Sequence, residues 1–257
     1  MNRVLGATAI LALVLPLAQQ TASARQAASE PQDEERVNRV VPVAPGGRLS
    51  LHNFSGRVTI TAADRTDVAI EAVRRAPRER LARIALDIEA AGGNITIEAN
   101  KRIGSSRHPD RNNVVETTFE IEVPRGLALD LDVFSSPVRV TGVQGRTAIK
   151  TFSGPVEVHG AAAAVSVETF SGAVRIDWLP EVVSPEVTAE TFSGDIELQM
   201  PPSASGSIDI GTFSGDIRAD RPVQVTDQQR RGLKGSLGGG GSSLIRLKTF
   251  SGEVILR

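Results

Sequence analysis

Along most of the chain, apolar and polar residues alternate with a period of two, and the alternation recurs in units. Seven segments carry the repeat: Asn53–Gly56, Val133–Ser136, Thr151–Gly154, Thr169–Gly172, Thr191–Gly194, Thr212–Gly215 and Thr249–Gly252. Each reads x-Phe-Ser-Gly, except that Ser136 stands where the others have Gly. Three residues before each Phe stand Leu51, Leu131, Ile149, Val167, Ala189, Ile210 and Leu247. Four after it stand Val58, Val138, Val156, Val174, Ile196, Ile217 and Val254, and six after it Ile60, Val140, Val158, Ile176, Leu198, Ala219 and Leu256. Charged or polar residues such as Lys150, Glu157, Glu168, Arg175 and Glu197 fill the gaps. Two-residue periodicity with β-branched positions on one side predicts strands. Each unit therefore reads as strand, corner at Ser-Gly, strand. Gly supplies the backbone freedom of the corner, and Ser can bond the local backbone. A looser corner is expected at Ser136.

Spacing decides between architectures. Successive Phe from Phe134 to Phe213 are 18, 18, 22 and 21 residues apart, room for two or three short strands with tight corners. In a solenoid each unit is one coil, stacked on the next at about 4.8 Å. In an antiparallel meander each unit is a hairpin about Ser-Gly. A meander would set Lys150 opposite Glu157 and Glu168 opposite Arg175, but also Glu190 opposite Glu197. It would leave seven Phe rings on the face away from Val167 and Val174. A solenoid corner that turns each ring inward would stack them as an internal ladder. The expected fold is therefore an all-β, single-domain β-solenoid with its Phe in the core.

Two longer intervals bear on the ends. Between Phe54 and Phe134, strands are expected at Val68–Val73, Ile95–Ala99, Thr118–Val123 and Leu127–Val133. Pro77 and the apolar spacing of Arg78–Ile88 predict one short helix in this N-terminal part. The region is expected to cap the first coil, whose edge would otherwise be bare. Between Phe213 and Phe250, Gly232–Ser243 reads as a flexible Gly-rich insert. It is not a phosphate loop, because no Gly-Lys-Ser/Thr follows. The sequence stops at Arg257, just after the strand Glu253–Leu256. That strand is expected to be an open edge, covered by the N-terminal segment or by end-to-end self-association.

The N-terminus carries a different signal. A basic opening (Arg3), an apolar run from Val4 to Ala18 and the small-x-small Ala22-Ser23-Ala24 predict a cleavable signal peptide over residues 1–24. The run is short for a bilayer span, and no second long one exists, so no transmembrane segment is expected in the mature chain. Residues 25–36 read as a flexible polar leader and 37–257 as the solenoid domain. The protein is expected to be periplasmic or extracellular.

Composition removes several classes of function. Lys plus Arg number 29 against 30 Asp plus Glu, a net charge of −1 that argues against nucleic-acid binding. No Cys leaves no disulfide, thiolate metal site or Cys nucleophile. His52, His108 and His159 are scattered and read as surface or structural. Trp178 reads as a packing residue. Seven equivalent Ser argue for a corner role, since nucleophilic catalysis needs one Ser beside one base. The residues after the corner Gly, Asp195, Asp216 and Glu253, would align in stacked coils. They are the one candidate for an oxygen-ligand cation site, although turn carboxylates are ordinarily solvated. No catalytic, cofactor-binding or metal residue is assigned.

Repeated T-F-S-G-x-V-x-V units, the Val123-Pro124-Arg125-Gly126 lead into a strand and a Gly-rich stretch before the last repeat resemble one known family. It is the bacterial "putative adhesin" β-strand-repeat family, a DUF4097-like domain of unknown function. The resemblance covers roughly Val37 to Arg257. It implies a right-handed β-helix-like fold, a surface or envelope role and no catalytic residues. The expected function is a non-enzymatic binding or scaffold module of the cell envelope, its partner an envelope protein or polysaccharide. A carbohydrate-active β-helix enzyme, lyase or hydrolase, is the alternative.

Overall fold

A computed structural model describes residues 32–103, 113–239, 241 and 243–257. The expected signal peptide lies outside the described residues. The N-terminal part contains β1 (Asp33–Pro42), β2 (Arg48–Ser55), β3 (Val58–Ala63), β4 (Asp67–Ala76), the helix α1 (Arg78–Leu81), β5 (Ile84–Ala91), β6 (Asn94–Arg102) and β7 (Glu116–Pro124). The repeats follow as β8 (Ala128–Ser135), β9 (Val138–Thr141), β10 (Thr147–Ser153), β11 (Val156–Ala161), β12 (Val165–Ser171), β13 (Val174–Trp178), β14 (Val187–Ser193), β15 (Ile196–Gln199), β16 (Gly206–Ser214) and β17 (Ile217–Ala219). Then come β18 (Val223–Gln229), β19 (Gly232–Leu237), β20 (Leu244–Ser251) and β21 (Val254–Leu256).

These strands form a β-solenoid of two facing sheets. One sheet has the order β1-β4-β7-β3-β9-β11-β13-β15-β21-β17, the other β18-β19-β16-β20-β14-β12-β10-β8-β2-β6-β5. Each repeat contributes one strand to each sheet, joined at the Ser-Gly corner. Within the solenoid the pairing is parallel and in register, so Thr151 sits beside both Thr169 and Val133, and Val156 beside both Val174 and Val138. Identical positions thus stack into columns. The apolar columns face inward: Leu51, Leu131, Val167, Ala189 and Leu247 in one sheet meet Ile60, Val140, Ile176 and Leu198 in the other, all fully buried. Trp178 joins this core, as expected of a packing residue. Burial of these aliphatic columns is the main source of stability in a chain with no disulfide.

Antiparallel strands close the N-terminal end, as the capping expectation requires. Strands β1 and β4 extend one sheet beyond β7, and β5 extends the other beyond β6. The helix is shorter than the sequence suggests, ending at Leu81, and Ile84–Ala91 is strand. Ile84 and Ile88 are four apart, a spacing shared by helical and alternating patterns. Pairing Ile88 with Ile97 of β6 settles it in favour of strand. Strand β1 likewise starts at Asp33, inside the stretch expected to be leader.

Ion pairs fasten this cap. Buried Arg74 binds the Glu35 carboxylate and the Ile84 carbonyl, tying β4 to β1 and β5. Hydrogen bonds from Arg36 and Arg75 hold the Glu34 carboxyl below the usual range. Arg125 does the same for Asp64, and Lys101 for Asp87; Lys101 is itself pushed up by that bond.

The last repeat in the sequence is not the last in the stack. Strand β20 pairs in parallel with β14 on one side and β16 on the other, and β21 lies between β15 and β17. The expectation of an open edge at Glu253–Leu256 is therefore corrected, and the reason it gave for end-to-end association falls with it. The stack ends instead on β17 in one sheet and on an antiparallel hairpin, β18–β19, in the other. That hairpin takes Gly232–Leu237 from the stretch expected to be flexible. Its alternation was masked by Gly, but Leu233 and Leu237 meet Ile210 and Gly206 across the ladder.

Candidate functional site

The corner determines what each strand shows to solvent. In β10, Ile149 and Thr151 point into the core while Lys150 and Phe152 point out, and the alternation runs unbroken to Ser153. Sequence reasoning expected the corner to turn the rings inward. The strand instead continues past Phe before it bends, so Phe keeps the parity of the outer face. All seven rings, Phe54, Phe134, Phe152, Phe170, Phe192, Phe250 and Phe213 in stack order, remain 41–50% exposed.

The ladder itself is as expected, but it lies outside. Neighbouring centroids are 4.6–4.9 Å apart, and ring planes from Phe134 to Phe213 differ by 1–4°. Phe54 joins at 4.7 Å and 17°. Each inner ring has its faces turned to two neighbours, so what meets water is mainly a line of C–H edges. The guanidinium of Arg231, in the turn between β18 and β19, lies 3.8 Å from the Phe213 centroid and covers the final ring by a cation–π contact.

Beneath the rings, the preceding residues form a buried column that is polar except at Val133: Asn53, Val133, Thr151, Thr169, Thr191, Thr249 and Thr212. Thr249 donates to the Gly194 carbonyl at 3.1 Å and Thr212 to that of Gly252 at 3.1 Å. Asn53 donates to Thr117 O at 3.0 Å and Ser55 O at 3.1 Å. The Thr249, Thr212 and Asn53–Thr117 bonds tie neighbouring segments together, while Asn53–Ser55 closes its own corner. The Gly matters chiefly for close approach. A Cβ on Gly172, Gly194, Gly252 or Gly215 would lie 2.0–2.2 Å from the Gly carbonyl oxygen of the neighbouring coil. At Ser136 the corner is not looser: the residue is fully buried and its amide donates to Ser153 O at 3.0 Å.

The rings line a shallow groove of about 670 Å³ together with Asp132, Lys150, Glu168, Glu190 and Lys248. These charges stand two residues before each Phe and form a column beside the rings. Lys150 meets Glu168 of the next coil at 3.4 Å. The opposite sheet carries ion pairs between its coils: Arg139–Glu157 at 2.6 Å, Arg175–Glu197 at 2.9 Å and Arg218–Glu253 at 2.6 Å. Charges pair between coils, not across a hairpin as Lys150–Glu157 or Glu168–Arg175 would require.

The candidate cation ligands Asp195, Glu253 and Asp216 do fall on consecutive coils, in that stack order. Two of the three are already engaged: Asp195 accepts from the Glu253 amide at 2.8 Å, and the Glu253 carboxylate holds Arg218. Among the described residues no group of three or more His, Cys, Asp or Glu could hold a metal ion. His159 bonds Asp177 at 2.7 Å on the charged sheet, and His52 lies 3.8 Å from both Glu98 and Asp132. His108 is outside the described residues. What sequence reasoning missed is the outer face itself, and the signal was present in the even spacing of Phe from Lys150, Glu168 and Lys248.

A family model, Toastrack DUF4097, matches residues 125–257. The chain belongs to this family. The match opens at Arg125, in the turn before β8, and takes in every coil from Phe134 onward; the N-terminal strands precede it. No curated protein matches the Toastrack chain. Among solved structures, a "putative cell adhesion protein" from Clostridium sporogenes is similar at 13% identity, covering 87% of this chain and 99% of that one, with a TM-score of 0.47. A "putative adhesin" from Bacteroides fragilis is also 13% identical, with 87% and 97% covered and a TM-score of 0.40. A "putative lipid binding protein" from Parabacteroides distasonis is 12% identical, with 86% and 97% covered and a TM-score of 0.31. Family membership rests on the match over residues 125–257. Among the described residues, no helix of the Toastrack chain is long and apolar enough to cross a membrane.

Proposed function

We propose that this Toastrack chain is a non-enzymatic binding or scaffold module of the cell envelope, exported by its N-terminal segment, and that the phenylalanine face is its recognition surface. One observation carries the reading: seven half-exposed rings in a single unbroken line. Soluble proteins seldom leave contiguous apolar surface of this extent unless it meets something. The carbohydrate-active alternative gains no support, because the rings present edges and sugars stack on faces, and of the acidic corner residues Glu253 is committed to Arg218 and Asp195 to a backbone amide.

The test is retention by native envelope fractions. Wild-type protein should be retained, and the triple variant Phe152→Ser/Phe170→Ser/Phe192→Ser should not be, while both keep the same circular dichroism. Equal retention of both proteins would refute the recognition surface. N-terminal sequencing of the protein from whole cells tests export: a mature chain starting at Arg25 is expected, and an intact Met1 overturns that part.

A further inference from the structure

We propose that the phenylalanine face is a homodimer interface, in which two copies pack face to face with their stacks antiparallel about a two-fold axis through the Phe170 coil. This rests on the reading of that face as a recognition surface and names its occupant.

The charges beside the ladder select a second copy. In stack order they run Asp132, Lys150, Glu168, Glu190, Lys248, on five consecutive coils, and all are exposed. Reversed, the column reads as the complement of itself. A two-fold axis along the strand direction keeps each column opposite its own copy and reverses the order of coils. With the axis on the Phe170 coil, Asp132 faces Lys248 of the second copy and Lys150 faces its Glu190, each pair occurring twice. The next column outward adds one pair: Asp130 lies on the coil of Asp132 and Arg246, which also reaches Asp209 of its own chain at 3.7 Å, on that of Lys248, so these too face each other. Only Glu168 meets its own copy, on the axis.

Other registers fail. Moving the axis by half a coil in one direction, a slip of one whole coil between the copies, sets Lys150 against Lys248 and Glu168 against Glu190. Moving it the other way pairs Lys150 with Glu168 but sets Asp132 against Glu190 and leaves Lys248 opposite His52, without an acidic partner. Like charges face to face are costly, and such patterns fix register. The favoured register is also the one in which all seven rings of each ladder are covered, Phe170 by Phe170, Phe152 by Phe192 and Phe134 by Phe250. An acyl chain would use the rings but not the alternating signs.

The size is adequate. Seven coils at about 4.8 Å, over a strand width of about 20 Å, offer about 650 Å² per copy and about 1,300 Å² in the pair, within the range of specific interfaces. An apolar centre flanked by charge is the usual layout of such a contact.

Sedimentation equilibrium of the purified chain, with a charge-swap cycle, tests this. Wild type should dimerise at micromolar concentration. Lys150→Glu and Glu190→Lys should each weaken the dimer by about tenfold or more, and the double variant should regain most of the loss. Within one chain Lys150 and Glu190 are two coils apart, so a fold-stability effect predicts no such rescue. Glu168→Gln should tighten the dimer, and thermal melts should show every variant folded. A wild type that stays monomeric up to about 0.5 mM overturns the proposal, as does a double variant no better than the singles or a dimer that survives Phe170→Ser. A monomer whose triple Phe variant still loses envelope retention leaves the recognition surface standing with a different occupant. Monomers that bind anionic or neutral lipid vesicles through the rings point to a lipid and likewise overturn the dimer.

Discussion

The ring of Phe250 stacks on that of Phe192 at 4.8 Å, with planes 3° apart. Phe213, which follows Phe192 in sequence, is found on the far side of Phe250 at 4.6 Å. The chain therefore lays down the coil of Phe213, makes the β18–β19 hairpin and returns to occupy the space between two coils already passed. Strands β20 and β21 supply hydrogen bonds to both neighbours, so nothing on either side is complete without them.

Removal of residues 243–257 should accordingly do more than shorten the solenoid. It bares one edge of β14 and one of β16, and unpaired parallel edges aggregate. Removing residues 206–241 instead bares only the outer edges of β20 and β21, which still pair with β14 and β15, so a folded, shorter protein with one open end should remain. Cooperative melting and soluble yield check the contrast: the first deletion should lose both, and the second should keep a cooperative melt with a yield lowered by its open end.

Coil spacing sets the tolerance at the corners. Gly172→Ala puts a methyl 2.1 Å from the Gly154 carbonyl oxygen, and the displacement of packed backbone should cost about 1–3 kcal/mol. Gly126→Ala, with no heavy atom within 4 Å of the new Cβ, should change stability by about 0.5 kcal/mol or less. Urea titration of the two variants beside wild type gives the comparison.

The threonine column offers a finer contrast. Thr169 and Thr191 hold buried hydroxyls without a partner among the described residues, whereas Thr249 donates to Gly194 O. Thr169→Val should be neutral or stabilising, since it removes an unsatisfied polar atom at nearly constant shape. Thr249→Val should cost about 1 kcal/mol through the lost bond. Equal melting shifts for the two would argue against this account of the column.

Acid should act first on the N-terminal cap. Glu34, Asp64 and Asp87 have carboxyls held below their ordinary values by Arg36 and Arg75, Arg125 and Lys101 respectively. A depressed acid contributes stability that is full above its unfolded value and is lost as pH falls through the folded one. The contribution is therefore constant near neutrality and declines below about pH 4. These pairs are exposed, so salt should weaken them too. Hydrogen exchange should show β1 and β5 losing protection at about pH 3 while β10 and β12 keep theirs.

Much of this architecture was legible in the sequence because the solenoid repeats one physical solution. Val156, Val174 and Ile196 alternate with Glu157, Arg175 and Glu197, and period-two patterns name the buried face without ambiguity. The corner Gly and the capping role of the N-terminal part followed from the same local rules. Three features did not. Ile84 and Ile88 satisfy helix and strand alike, and only β6 decides between them. The return of β20 rests on its pairing with β14 and β16, a long-range matter that Gly232–Ser243 does not encode. The Phe face was misjudged by assuming that large rings must be buried. Parity with Thr151 already placed Phe152 outside, and stacking on Phe134 and Phe170 gives each ring much of the cover that a core would.

Because Thr147–Ser153 pairs with the coil before it and the coil after it in one common register, a coil behaves as an interchangeable cassette. Duplicating the 18 residues from Phe134 to the position before Phe152 would add a step of about 4.8 Å while both ends keep their caps. Tandem duplication in a gene thus translates directly into reach, and a lineage of such molecules can tune its length like a ruler without redesigning its interior.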